Sequence, residues 1–395
     1  MGTYEIGVPM KFIFGKPVDE PFDRENEVKQ LVEMMNRRQP VAIIGVRRIG
    51  KTSVILKSLK IIETPKVYIS VEDFIEGKSF DLVSFLSLYS SLLITNTLNY
   101  VEPKRKISQI VKQKGKELLD KLRELIGYVK LSFNINLVEV EVFLNSVKRG
   151  GVKESIPQIL ELPERLAEEF GLNTIVVAID EFQYLKLASQ NYPGIFHLLR
   201  SKWQFHNKVS YVISGSSVGL LEKIFYDKKE PFYQFFFPIY IKQFDKNTSF
   251  NFLKQGFRDE GKDYEDNALL LAIEELDGIP AWLNYFGLKS LQCNEVTLEC
   301  AKKVIEDITF NDPIVRGIVQ EEYNKLGKNA RIILKYLAEK GGKGDLKGLE
   351  LGKASINEGL KSLLGSGYIV KEERGKYAII DPVIVKVLKS STQTI

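Results

Sequence analysis

An α/β fold, with helices layered on both faces of a parallel sheet, is predicted for the first part of this 395-residue sequence, and three stretches predict it. The first is "VAIIGVRRIGKTSV" at 41–54: a β-rich run breaks at Gly45, and apolar residues at helical spacing resume from Gly50-Lys51-Thr52. The second is "TIVVAIDEFQYL" at 174–185, in which five apolar or small residues deliver Asp180 and Glu181. The third is "KVSYVISGSSVGLL" at 208–221, an apolar run that ends on Ser214-Gly215-Ser216-Ser217. Fully apolar strands separated by helical segments call for a sheet covered on both sides.

The first stretch satisfies G-x-x-x-x-G-K-[ST] from Gly45 to Thr52, in the strand–turn–helix context the pattern requires. Gly45, Val46, Arg47, Arg48, Ile49, Gly50, Lys51, Thr52 and Ser53 are therefore the candidate nucleotide-binding positions. Backbone N–H groups of such a turn point at phosphate oxygens, and the dipole of the following helix favours the anion. Lys51 would reach the β- and γ-phosphates of ATP or ADP, and Thr52 would place its hydroxyl on Mg²⁺. Arg47 and Arg48 read as variable loop positions that face solvent or a neighbouring element. Asp180, at the carboxyl end of its strand, is the second candidate Mg²⁺ ligand, and Glu181 the candidate base that polarises the attacking water. If the third strand lies between the other two, its hydroxyls come close to the γ-phosphate; Ser216 is the chosen residue, with Ser214 and Ser217 open.

Ahead of the first strand, "PFDRENEVKQLVEMMNR" predicts a helix with Asp23 as N-cap and Glu25 and Glu27 in its first turn. After the last core strand, Pro280 in "DGIPAWL" fixes a turn between the helix "NALLLAIEEL" and one starting near Trp282.

The phrases "FDRENEV", "GVRRIGKTS", "AIDEFQYL", "ISGSSVGLL" and "DGIPAWL", in this order over 22–283, resemble the archaeal ATPase family of the STAND class of P-loop ATPases, relatives of the AAA+ proteins. The resemblance implies an AAA+-like, three-layer α/β/α P-loop NTPase, with the glutamate-bearing strand beside the cradle strand and a helical lid after the sheet. It places Arg24 and Glu25 on the adenine side, and Gly278 and Pro280 near the base or ribose at the junction of sheet and lid. Relatives often carry a glycine-arginine pair before the last core strand; here Gln234 and Phe235 stand in its place. Arg200 is a candidate substitute, although a solvated helix charge is the simpler reading.

The domain reading is an ATPase core at 1–245 with an insertion at about 75–170, a helical lid at 246–325, and a winged helix-turn-helix at 326–395. In the insertion, helical spacing covers 79–100 and 107–127, and "YVKLSFNINLVEVEVF" alternates as a hairpin with a turn near Asn134–Asn136. The basic clusters "EPKRK" and "KQKGKELLDK" read as solvated helix faces. In the tail, "NARIILKYLAEKG", "LKGLELGK" and "SINEGLKSLLGSGYI" predict three helices, and "YIVKEERGKYAIID" a two-stranded wing. Ser355, Asn357, Lys361 and Ser362 would meet DNA bases, and Lys371, Arg374 and Lys376 phosphates; acidic Glu358 favours protein docking instead.

The net charge is +5, and residues 328–378 carry eleven Lys/Arg against six Asp/Glu, so the tail holds the excess. No apolar run reaches the roughly 20 residues of a membrane span. Two cysteines and two histidines give no metal spacing. Cys293 and Cys300 are expected reduced, on one helix face, in a cytoplasmic protein. The expectation is an ATP-hydrolysing, Mg²⁺-dependent switch coupled to double-stranded DNA or a protein partner, with no membrane and with subunit assembly left open. A nucleotide-gated regulator without turnover is the alternative, and a P-loop kinase a weaker one.

Overall fold

The computed structural model describes residues 9–77, 79–101, 130–134, 139–143 and 151–390. Its central sheet has five parallel strands: β1 (Val41–Ile44), β2 (Lys66–Ser70), β3 (Ile175–Asp180), β4 (Val209–Gly215) and β5 (Phe237–Tyr240). They lie in the order β2-β3-β4-β1-β5. The acid-bearing strand β3 is thus separated from the cradle strand β1 by β4, which corrects the expectation that the two are neighbours. The condition set for Ser214–Ser217 is met instead, because β4 runs between them.

Strand periodicity sorts the two layers. Val41, Ile43, Val176, Ala178 and Val212 face helices α1 (Glu25–Asn36) and α2 (Lys51–Ile61) through Leu31, Met35, Val54 and Ile55. Ala42, Ile44, Val177, Ile179 and Ile213 face the opposite layer, formed by helices Leu82–Val101, Gly151–Glu169 and Ile195–Trp203. With both faces covered, β1, β3 and β4 are buried along their whole length, as the unbroken apolar runs require. The predicted hairpin is present as Lys130–Asn134 paired antiparallel with Glu139–Phe143. The helical stretch 107–127, both basic clusters and the hairpin tip lie outside the described residues.

One cap expectation changes. Arg24, not Asp23, is the residue before α1, and it makes no side-chain cap bond. Asp23 is left-handed at φ 52° and its carboxylate accepts the Thr248 hydroxyl at 3.0 Å. Its side chain is therefore directed at helix Lys246–Asp259, not at the α1 amides.

Beyond β5 come the helices Lys246–Asp259, Asp266–Leu276, Pro280–Ser290, Leu298–Glu306 and Pro313–Lys325. Their apolar core continues without a break into helices Lys328–Glu339 and Pro382–Ser390, and Phe12 from the N-terminal segment enters it. The expected helix at "LKGLELGK" is absent: Lys343–Asp345 forms a strand, followed by turns around Gly348 at φ 88°. Glycines at 348 and 352 bracket too few residues to sustain a helical nucleus. The strand Lys376–Ile379 pairs antiparallel with both Lys343–Asp345 and Ile369–Glu373, and helix Lys353–Gly365 lies between the latter two in sequence.

Cys293 and Cys300 are joined in a disulfide, which corrects their expected free state on one helix face. The helix ends at Ser290 and the next starts at Leu298, so the two thiols belong to different elements and the seven-residue interval closes a loop.

Candidate functional site

The turn between β1 and α2 is shaped by close packing. A side chain at Gly45 would lie closer than 3.0 Å to the Ile241 carbonyl, so only glycine lets β1 pass β5 there. Gly50 stands at φ 93° with open space around it, the left-handed step that turns the chain into α2. Ile49 is fully buried and pins the turn from beneath. Lys51 is buried and donates to the Val46 carbonyl at 2.7 Å, folded back across its own turn. Burial pushes its pKa down; Glu181 and Asp180 oppose that and nearby Arg47 adds to it.

Asp180 is held by four donors: Thr52 Oγ1 at 2.9 Å, the Tyr68 hydroxyl at 2.8 Å, the Glu181 backbone N–H at 2.9 Å, and the Ser214 hydroxyl. Burial raises the Tyr68 pKa, and Asp180 raises it further, so this phenol stays a donor. Glu181 is left-handed at φ 52°, a conformation that a non-glycine residue keeps only when its surroundings impose it. Its carboxylate accepts the Ser216 hydroxyl at 2.8 Å and the Gln183 side-chain amide. The three predicted strand ends thus form one cluster at the carboxyl edge of the sheet. Ser216, expected at the γ-phosphate, here holds Glu181. Ser214 holds Asp180, and buried Ser217 precedes helix Val218–Tyr226.

Beside the turn opens a cleft of about 1170 Å³ whose walls include Gly45, Val46, Ile241, Phe244, Ile273 and Gly278. Gly278 is left-handed at φ 64° and its carbonyl accepts the Phe244 N–H at 2.9 Å, which joins the helices to the sheet edge. Pro280 opens helix Pro280–Ser290, and the Ala281 N–H donates to the Arg48 carbonyl at 3.2 Å. Arg24 is buried, donates to the Lys242 carbonyl at 2.7 Å and lies 4.7 Å from the Phe244 ring centroid. Burial is the chief cause that lowers its pKa. Glu25 is exposed at the start of α1 and does not line the cleft. Ser53 donates nothing to the turn; its Oγ accepts the Val18 N–H at 3.1 Å and fastens the N-terminal segment to α2.

Of the two surroundings expected for Arg47 and Arg48, solvent or a neighbouring element, the structure shows the second. Arg47 reaches the Ser366 carbonyl at 3.2 Å and the Tyr184 hydroxyl at 3.3 Å, over the Tyr368 ring. Arg48 pairs with Glu322 at 2.7 Å and Asp381 at 2.8 Å. Arg200 donates to Gln204 and lies over the Phe235 ring on the far helix, away from the turn. Tyr68, Gln183, Glu322 and Asp381 were not found from sequence. Gln183 lies inside the quoted "DEFQYL", and its place two residues after Glu181 was the one available signal.

A parallel sheet in this order, with the phosphate turn and the acid pair at its carboxyl edge, defines a P-loop ATPase fold. The model of an ATPase domain found predominantly in Archaea matches residues 22–286, and the chain belongs to that family. Among solved structures, the Walker-type ATPase of Pyrococcus abyssi is 26% identical, with a TM-score of 0.66 over 95% of this chain and 98% of that one. The ORC2 protein of Aeropyrum pernix, solved as ADPNP–ADP complexes, matches at 13% identity and a TM-score of 0.54 over 97% and 98% of the two chains. No curated protein matches the sequence.

Proposed function

We propose that the chain binds ATP with Mg²⁺ at the Gly45–Ser53 turn and hydrolyses it. The observation that carries this reading is the single hydrogen-bonded cluster of Thr52, Asp180, Glu181 and Ser216 at the mouth of the turn. Thr52 Oγ1 and Asp180 Oδ2 are adjacent hard oxygen donors, which suits an ion that takes one or two protein ligands and fills its sphere with phosphate and water. Mg²⁺ bound there would neutralise phosphate charge. The chain's own parts are then distinct. Lys51 leaves the Val46 carbonyl for a phosphate oxygen, the turn amides bind the remainder, and Glu181 takes a proton from the attacking water once Ser216 and Gln183 release it. The cleft walled by Gly278 and Ile273 is suited to the base, with Arg24 stiffening its wall through Lys242.

ATP turnover in the wild type and in Glu181→Gln tests the catalytic half. A fall of about 10²–10⁴-fold is expected, and equal turnover would sink the base assignment. The absence of an arginine at Gln234–Phe235 and the engagement of Glu181 by two donors favour one second reading, a nucleotide-gated regulator. Tight ADP retention with negligible wild-type turnover would support it.

For the output we propose that 326–395 is a winged-helix module of a cytoplasmic, STAND-class switch, packed against a lid at 246–325. The order helix, strand, helix, two antiparallel strands supports this. Asn357, Lys361, Lys371, Arg374 and Lys376 are exposed, with Ser355 and Ser362 half-exposed, as a duplex-facing surface needs. The carboxyl end of helix Lys353–Gly365 is docked: a side chain at Gly219 would come within 2.7 Å of the Leu364 carbonyl. A DNA titration across salt concentrations, with and without ATP, tests the coupling. A steep salt slope that shifts with nucleotide is expected; no binding at low salt would leave a protein partner as the output.

A further inference from the structure

Arg48 stands at φ 67° in the middle of the phosphate turn. An arginine keeps this left-handed conformation only when other groups hold it there. Those groups come from far along the chain. Nη1 donates to Asp381 Oδ2 at 2.8 Å and Nη2 to Glu322 Oε1 at 2.7 Å, 333 and 274 residues downstream. The guanidinium lies 4.8 Å from the Trp282 ring centroid. Asp381 is itself fixed, since both its oxygens accept Trp282 Nε1 at 3.0 Å and Oδ1 accepts the Val383 N–H at 2.9 Å.

We infer that Asp381, assisted by Glu322, is a positioning residue for nucleotide binding. The two carboxylates hold Arg48 left-handed and so aim the turn's backbone N–H groups at phosphate oxygens. The inference rests on the reading of this turn as a nucleotide cradle. It adds two residues that lie beyond the matched ATPase domain, which ends at residue 286. Exposed ion pairs are too weak for such a task, but these side chains are only 13% (Arg48), 17% (Glu322) and 12% (Asp381) exposed. A direct phosphate contact by Arg48 is disfavoured, because its guanidinium is engaged by two carboxylates and an indole. The link is reciprocal: whatever displaces the segment around Asp381 changes nucleotide affinity, and bound nucleotide changes how firmly that segment is held.

The test is titration of a fluorescent ADP analogue into the full-length chain as wild type, Asp381→Asn, Glu322→Gln, Arg48→Gly, and Arg48→Gly combined with each. Melting of the nucleotide-free proteins is recorded alongside. Asp381→Asn should weaken ADP binding roughly tenfold, the scale of one released backbone strain, and Glu322→Gln should weaken it by a smaller factor. Glycine adopts φ 67° unaided, so in the Arg48→Gly background neither carboxylate change should cause a further loss, whatever the affinity of Arg48→Gly itself. Should Asp381→Asn be unfolded at the assay temperature, the Glu322→Gln pair carries the same comparison. Wild-type affinity in the folded carboxylate variants, or an equal loss in both backgrounds, overturns the inference. A wild type that binds no ADP overturns the cradle reading itself, a distinguishable failure.

Discussion

Gly278→Ala is a substitution for which the structure sets both a steric and a dihedral penalty. Gly278 sits at φ 64°, directly after Asp277 at φ 51°, at the junction between the sheet edge and helix Pro280–Ser290. A Cβ there would fall closer than 3.0 Å to the Phe244 carbonyl oxygen and 3.1 Å from Ser249 Oγ. Three contributions add. The left-handed backbone costs alanine about 1–2 kcal/mol. The backbone shift that relieves the clash weakens the Phe244 N–H to Gly278 carbonyl bond, about 1 kcal/mol. Forced repacking of buried Ile279 and Trp282 behind it adds about 1–3 kcal/mol. A loss of about 3–6 kcal/mol follows. Gly50→Ala is the internal control: φ is 93° there too far from ordinary residues, but nothing lies within 4 Å of the added carbon, so only the backbone cost of about 1–2 kcal/mol applies. Urea unfolding of the two nucleotide-free variants against wild type gives the comparison. Equal destabilisation by the two alanines would refute the steric reasoning and leave only the dihedral term.

Other perturbations have signs worked from the same structure. Lys51→Met should leave the nucleotide-free protein as stable as wild type or more so in a thermal melt, because burial already disfavours the ammonium, while binding of labelled ADP is lost. His206, its side chain 2% exposed, has its pKa pushed below 6.5 by burial, with Glu164 and Glu161 opposing. Its neutral form is favoured in the folded chain, so its contribution is full above pH 6.5 and is lost as pH falls through the lowered value. Melts between pH 7.5 and pH 5, values chosen to bracket the ordinary histidine pKa of about 6.5, should show a shallower acid loss for His206→Gln than for wild type. Reduction of Cys293–Cys300 opens a short loop and should cost about 2–3 kcal/mol, read as a lower melting temperature in dithiothreitol with no change in ADP affinity.

What could be read in the sequence was what the chain writes locally. The phosphate turn is eight consecutive residues whose glycines serve a close approach at Gly45 and a left-handed step at Gly50, and Asp180-Glu181 ends an unbroken apolar run; both follow from short-range patterning. The place of β4 between β3 and β1 is a pairing choice among three equally apolar strands, and periodicity carries no information about it. Helix ends were misread where a side chain had a distant use. Asp23 looks like a cap until Thr248 is brought beside it, and the interval from Cys293 to Cys300 looks helical until the chain turns after Ser290.

Arg47 and Arg48 make the same point in the phosphate turn itself. By composition they are two cations next to a phosphate site, and chemistry on the phosphate is the obvious guess. Besides Tyr184 and Trp282, their partners Glu322, Ser366, Tyr368 and Asp381 are scattered over the last quarter of the chain in helices, turns and a helix start. Each of those residues is unremarkable in its own stretch. Only the continuous core from Phe244 to Leu388 brings them over the turn together. The two arginines therefore tie the C-terminal elements directly to the turn between β1 and α2. A substitution at either should alter the response of nucleotide binding to any ligand of those elements, even where Lys51, Thr52, Asp180 and Glu181 are untouched.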